Sequence, residues 1–150
     1  MLGIRDIWIY ANNIISTARQ ILNENLKSFG LGSAEGNILV HLFTYDYPLR
    51  QEDLVEGLEI SKPAVSRALN SLEMKGFVQR RKDPDDKRAS RIFLTEKAFL
   101  IGPELEQVYE ELFQIAAQGV TPEDIEKFIS FFKLISESLA RVRDEKKKGG

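Results

Sequence analysis

A mainly α chain carrying one small β-hairpin, an α+β organisation, is what this sequence predicts, and three observations predict it. Apolar residues recur at spacings of three and four through most of the 150 residues. That period breaks once, after Gly76, where two short β-prone runs flank a stretch of turn formers. Hydrophobic residues make up 43% and charged residues 29%, as in an ordinary folded protein, and the length fits one domain, or one core with an attached dimerisation element.

The first helix is expected over 5–29, with Ile7, Tyr10, Ile14, Ala18, Ile21 and Leu22 on one face and Gly30 and Gly32 ending it. Ser33 is the expected cap of the next, with Glu35 in its first turn and Ile38, Leu39, Leu42 and Phe43 facing inward. Asp46-Tyr47-Pro48 reads as a turn. A short helix follows over 51–57, with Leu54 and Leu58 inward and Glu52 and Asp53 at its positive end. Ser61 caps a helix running to Lys75, with Pro63 in the first turn, where its missing N–H costs nothing, and Gly76 as the left-handed stop. Residues 77–82 and 90–94 read as strands around the tip 83–89. Thr95 caps a helix to about 117, where Gly102-Pro103 predicts a kink or break. Gly119 ends it. Thr121-Pro122-Glu123-Asp124 starts a last helix to about 143, followed by a frayed tail over 146–150.

Composition removes several chemistries. The chain has no cysteine, so disulfides, thiolate zinc sites and thiol nucleophiles are excluded. With His41 as the single histidine, neither a histidine-rich metal site nor a histidine triad is expected. No nucleophile–base pair or phosphate-cradling glycine loop is present, so neither an enzyme nor a cofactor is expected. The start MLGIRDIWIY carries Asp6 and no apolar core, and no segment approaches the ~18 apolar residues of a membrane span. Cytoplasmic location without membrane contact is the expectation.

Charge is distributed unevenly. The net charge is −2 and the pI about 5.6. Between Ser61 and Arg91, however, nine Lys/Arg face four Asp/Glu, an excess of +5, which leaves the remainder at −7. Salt screens charges beyond ~10 Å, so a phosphate approaching this stretch sees a cation. The helix from Lys62 holds Val65, Ala68, Leu69 and Leu72 on one side at about 100° per residue. Pro63, Ser66, Arg67, Asn70 and Met74 share the opposite side. Arg67 has the reach for guanine O6/N7, and Asn70 for adenine N6/N7. The backbone N–H groups after Ser61 suit a phosphate. Two helices joined by a short turn have helix-turn-helix spacing. The hairpin that follows carries Arg80, Arg81, Lys82, Lys87, Arg88 and Arg91. Two strands alone are marginal, so the hairpin must lean on the core and project its tip, where Asp86 is placed to orient Arg88.

Taken together, Pro48-Leu49-Arg50-Gln51-Glu52-Asp53-Leu54, Val65-Ser66-Arg67-Ala68-Leu69, Leu72-Glu73-Met74-Lys75-Gly76-Phe77-Val78 and Asp83-Pro84-Asp85-Asp86-Lys87-Arg88 with Leu94-Thr95 resemble the MarR family of winged helix-turn-helix regulators. The motifs span about 48–98. Arg50 stands where a Thr cap is usual, and Ala98 where Gly is frequent. The resemblance implies a homodimer on a pseudo-palindromic double-stranded DNA operator, and the steric logic of a compact dimer covering a promoter favours a repressor. Ser61, Lys62, Pro63, Ser66, Arg67 and Asn70 would lie in the major groove, and wing residues Arg80, Lys87, Arg88 and Arg91 in the minor groove. It also implies a lobe at 33–98 between dimerisation helices at 1–32 and 99–145. Ile7 and Ile14, with Phe128, Phe131, Phe132 and Ile135 of a helix apolar nearly all round, are the expected interface. The resemblance further implies a small aromatic effector, with Tyr10, Asn13, Thr17 and His41 as candidate pocket residues. The competing reading is a winged-helix module whose wing pairs with an acidic protein; it needs no reading face of Ser, Arg and Asn.

Overall fold

The computed structural model describes residues 1–149. In order along the chain come α1 (Ile4–Asn25), a 3-10 turn (Lys27–Phe29), α2 (Ser33–Phe43), β1 (Leu49–Arg50), α3 (Gln51–Leu58), α4 (Lys62–Met74), β2 (Val78–Lys82), β3 (Ser90–Leu94), α5 (Glu96–Ala116) and α6 (Pro122–Lys148). The fold is the predicted one, mainly helical with a small antiparallel sheet. It divides into two compact units, Met1–Leu112 and the part from Phe113 on, so the boundary falls inside α5. Among the described residues no helix is long and apolar enough to cross a membrane.

The first unit has one core. Leu26, Ile38, Leu39, Leu54, Val65, Leu69, Leu72 and Leu105 are all fully buried in it. The residues that fill it from α4 are Val65, Ala68, Leu69 and Leu72, the stripe set by helical spacing. Phe77, Val78 and Ile92 bring the sheet onto the same core.

The sheet has three strands, in the order β1-β3-β2, and β1 was not foreseen. It is two residues long, too short to show a period, and exists because Leu49 pairs with Ile92 and Arg50 with Arg91. β2 and β3 run antiparallel from Val78 opposite Leu94 to Lys82 opposite Ser90. The hairpin therefore leans on a third strand as well as on helices.

Four local expectations are corrected. Gly32, not Ser33, is the N-cap of α2: the Gly32 N–H donates to Glu35 Oε1 at 3.1 Å, while the Ser33 N–H donates to Asn23 Oδ1 at 2.7 Å. α1 stops at Asn25 and a separate 3-10 turn carries the chain to Phe29. α5 runs unbroken through Pro103. An interior proline costs about 3 kcal/mol, and burial of Ala98 and Gly102 before it, and of Leu105, Tyr109 and Leu112 after it, holds the helix together. Gly102 is there for packing, since a Cβ would lie 3.1 Å from Phe43 Cζ. Finally, α6 continues through Lys146–Lys148 instead of fraying after 143, helped by three cations at its negative end; Gly150 lies outside the described residues.

The second unit is dominated by α6. Thr121 caps it: its Oγ1 accepts from the Asp124 N–H at 3.1 Å, and the Thr121 N–H donates to Asp124 Oδ2 at 3.2 Å. None of its residues is buried in the single chain. Phe128, Phe131 and Phe132 are exposed and Ile135 is half-buried.

Candidate nucleic-acid interface

α4 is positioned from three sides. At its start, Ser61 Oγ accepts from the Ala64 N–H at 3.3 Å, and Pro63 sits in the first turn. On the α3 side, the Gln51 amide donates to Ser66 Oγ at 2.7 Å. At its end, Lys75 Nζ reaches both Glu35 oxygens, at 2.9 and 2.8 Å, and the Gly30 carbonyl at 2.7 Å. Ser71 Oγ adds a donor to the same carboxylate at 2.9 Å. Burial alone would raise the Glu35 pKa, but the hydrogen bonds from Lys75, the Gly32 N–H and Ser71 outweigh it and hold the carboxyl below its ordinary value. Gly76, at φ +83°, lets the chain turn out of α4 into β2.

The wing is braced at its base by Asp83, whose side chain is fully buried. Arg50 of β1 and Arg91 of β3 stand directly opposite each other. Two like charges in that register repel. Asp83 Oδ2 resolves the conflict by accepting from Arg50 Nε at 2.6 Å and from Arg91 Nε at 3.1 Å. Its other oxygen accepts the Asp85 N–H at 2.9 Å and shapes the turn. That backbone hydrogen bond, with the two arginines, pulls the Asp83 pKa down to about 2. Arg50 thus does not cap α3 with its side chain. Its N–H donates to Asp53 Oδ2 at 2.8 Å, and its guanidinium braces the wing. No sequence pattern announces this triad, because its members lie 33 and 8 residues apart along the chain.

The expected reading residues separate into two kinds. Lys62, Pro63 and Arg67 are exposed, and neither cation has an ion pair or side-chain hydrogen bond among the described residues. Ser66 is half-buried and held by Gln51. Asn70 is exposed, but its Oδ1 accepts from Arg80 NH2 at 2.6 Å. The wing residues divide likewise. Arg80 is folded back onto α4, donating through its backbone N–H and its Nε to Glu73 Oε2, both at 3.1 Å. Arg91 is held by Asp83 and by Asp85 at 3.5 Å. Neither is a free cation at the tip. Lys87 and Arg88 are exposed there. Asp86 does not hold the Arg88 guanidinium; its carboxylate accepts the Arg88 backbone N–H at 3.0 Å and fixes the turn. Arg88, Lys62 and the start of α3 line one cleft of about 320 Å³, so the wing and the start of α4 open on the same space.

The four candidate pocket residues are not gathered at one place. His41 is half-buried, 5.2 Å edge-on from the Tyr45 ring, and lines a cleft with Tyr45, Tyr47, Leu49, Asp53, Glu56 and Gly57. Tyr10, Asn13 and Thr17 lie on an exposed face of α1, where Thr17 Oγ1 donates to Asn13 Oδ1 at 3.5 Å.

Residues 33–90 match the MarR family model. The chain is similar to the HTH-type transcriptional regulator YybA of Bacillus subtilis strain 168, with 29% identity over 126 residues, covering 83% of this chain and 84% of that protein. A MarR family transcriptional regulator from Listeria monocytogenes, solved in complex with 26mer DNA, is 27% identical, with a TM-score of 0.80 over 100% of this chain and 97% of that one. The fold also matches that of the S. aureus MepR–DNA complex, at a TM-score of 0.79 and 22% identity over 92% of this chain and 99% of that one. The helix-turn-helix, the braced wing and these likenesses agree: residues 33–90 match the MarR family, and the fold is that of the winged-helix MarR structures.

Proposed function

We propose that two copies of this chain bind a pseudo-palindromic operator, each placing α4 in a major groove and its wing in the neighbouring minor groove, and that the dimer represses by covering promoter DNA. The observation that carries this reading is the shared cleft: Lys62 at the start of α4 and Arg88 on the wing border one space, and with Arg67 they remain unpaired cations among the described residues. A narrow minor groove has the deepest negative potential and suits a projecting arginine such as Arg88. Arg67, exposed on the outer face of α4, suits a guanine edge.

Dimerisation is supported by surfaces the single chain leaves uncovered. α1 exposes Trp8, Ile14 and Ile15, and α6 exposes Phe128, Phe131 and Phe132. Apolar surface of this extent marks an interaction site, and a two-fold partner supplies the second half-site about one DNA turn away. Such a regulator works beside the genome, in the cytoplasm. Selection of duplexes from a random pool with the purified protein tests the reading. Enrichment of an inverted repeat with half-sites about 10 base pairs apart is expected, and recovery of unenriched DNA refutes it.

A further inference from the structure

The proposal that α4 enters the major groove leaves open which base edges it accepts, and the hydrogen bonds around α4 narrow the answer. Three side chains toward its outer face carry oxygen acceptors: Ser66, Asn70 and Glu73. Each already receives a donor from elsewhere in the lobe. Ser66 Oγ accepts from the Gln51 amide, Glu73 accepts from the Arg80 N–H and Nε, and Asn70 Oδ1 accepts from Arg80 NH2 at 2.6 Å. The Asn70 amide orientation is chemically forced. A guanidinium has only donors, so the atom facing it must be the oxygen. That leaves the Asn70 NH2 turned to the outside. The remaining lone pair on Oδ1 lies beside a full positive charge, which repels any further N–H donor. Arg67 has donors only, while Ser66 keeps its hydroxyl proton and one lone pair.

We infer that Asn70 offers the base edge it faces hydrogen-bond donors alone, so that the base opposite Asn70 is a keto base, guanine or thymine, and not adenine. The inference rests on the proposed entry of α4 into the major groove. An asparagine free at both ends pairs with adenine by accepting from N6 and donating to N7. With Oδ1 occupied, that pairing is closed. Its outward NH2 meets O6 and N7 of guanine, or O4 of thymine, but collides with the N6 amino group of adenine or the N4 amino group of cytosine. Arg80 is therefore a positioning residue: it sets specificity through Asn70 without touching the base.

Selection from a random duplex pool with three proteins tests this. The wild-type chain should enrich guanine or thymine at one position per half-site, by about tenfold over adenine. Asn70→Asp keeps an acceptor for Arg80 and removes the donors, so the preference at that position should disappear. Arg80→Met frees Oδ1, and the preference at that position should move to adenine. Three results overturn the inference: adenine or cytosine at the Asn70-dependent position in the wild-type selection, no position that responds to Asn70→Asp, or an unchanged base in the Arg80→Met selection. Failure of the wild-type chain to enrich any sequence overturns the groove-reading proposal itself and this inference with it, which separates the two failures.

Discussion

Adding a methyl group at Gly36 sets a local gain against a packing loss, and the structure decides between them. Gly36 lies inside α2, so alanine there improves helix propensity by about 0.5–1 kcal/mol. Its Cβ would lie 2.6 Å from Leu26 Cδ1 and 2.7 Å from Tyr109 Oη. Leu26 is fully buried and cannot swing into solvent. Tyr109 is tied by a 2.6 Å hydrogen bond from its hydroxyl to Asn37 Oδ1. Overpacking of this kind costs about 1–3 kcal/mol, and loss of the hydroxyl's bond about 1 kcal/mol more. Gly36→Ala should therefore destabilise the chain by about 1–3 kcal/mol, which at about 2–4 °C per kcal/mol for this length is a Tm lower by about 2–12 °C. Thermal unfolding at one fixed protein concentration measures it, because a dimer's Tm moves with concentration. The Tyr109→Phe background removes the atom at 2.7 Å, so Gly36→Ala should cost less there. A Gly36→Ala protein as stable as the wild type, or strict additivity in that cycle, refutes the packing argument.

Arg67→Ala should relax discrimination at one base pair by about 1–3 kcal/mol; equal losses on specific and random DNA would show that Arg67 touches only phosphate. Arg88→Ala should weaken binding chiefly at sites with A·T-rich flanks, and a loss independent of the flanks removes the minor-groove role. Phe132→Asp should yield monomers in sedimentation, and an unchanged mass excludes α6 from the interface. The Asp83 carboxyl should titrate near 2 by NMR, below its ordinary 3.8. Because the folded value is depressed, the stabilisation from its ionised form is complete above about pH 4 and is lost as pH falls through 2, and a midpoint at 3.8 contradicts the bracing assigned to Arg50 and Arg91.

What the sequence disclosed was whatever rests on local pattern. The α4 stripe of Val65, Ala68, Leu69 and Leu72, the stop at Gly76 and the Thr121-Pro122 start follow from helical geometry and capping, and all hold. What it concealed depends on residues far apart in the chain. β1 needs Leu49 beside Ile92. Arg50 reads as a poor helix cap until Asp83 is found next to it. Arg80 reads as a wing cation, yet Glu73 and Asn70, on the preceding helix, draw it inward. Charge counting places cations on a segment but does not say which are neutralised at home. Of the nine between Ser61 and Arg91, three (Lys75, Arg80 and Arg91) are committed to ion pairs within the lobe.

The buried carboxylate that ties three strands together also limits how the protein can compromise. A ribbon guyed from both flanks holds its stance relative to the helix beside it, so an operator with mismatched groove widths meets a stiff gauge and not a yielding one. The strain of fitting then falls on the duplex, and sequences that bend or narrow easily are favoured even at base pairs no side chain contacts.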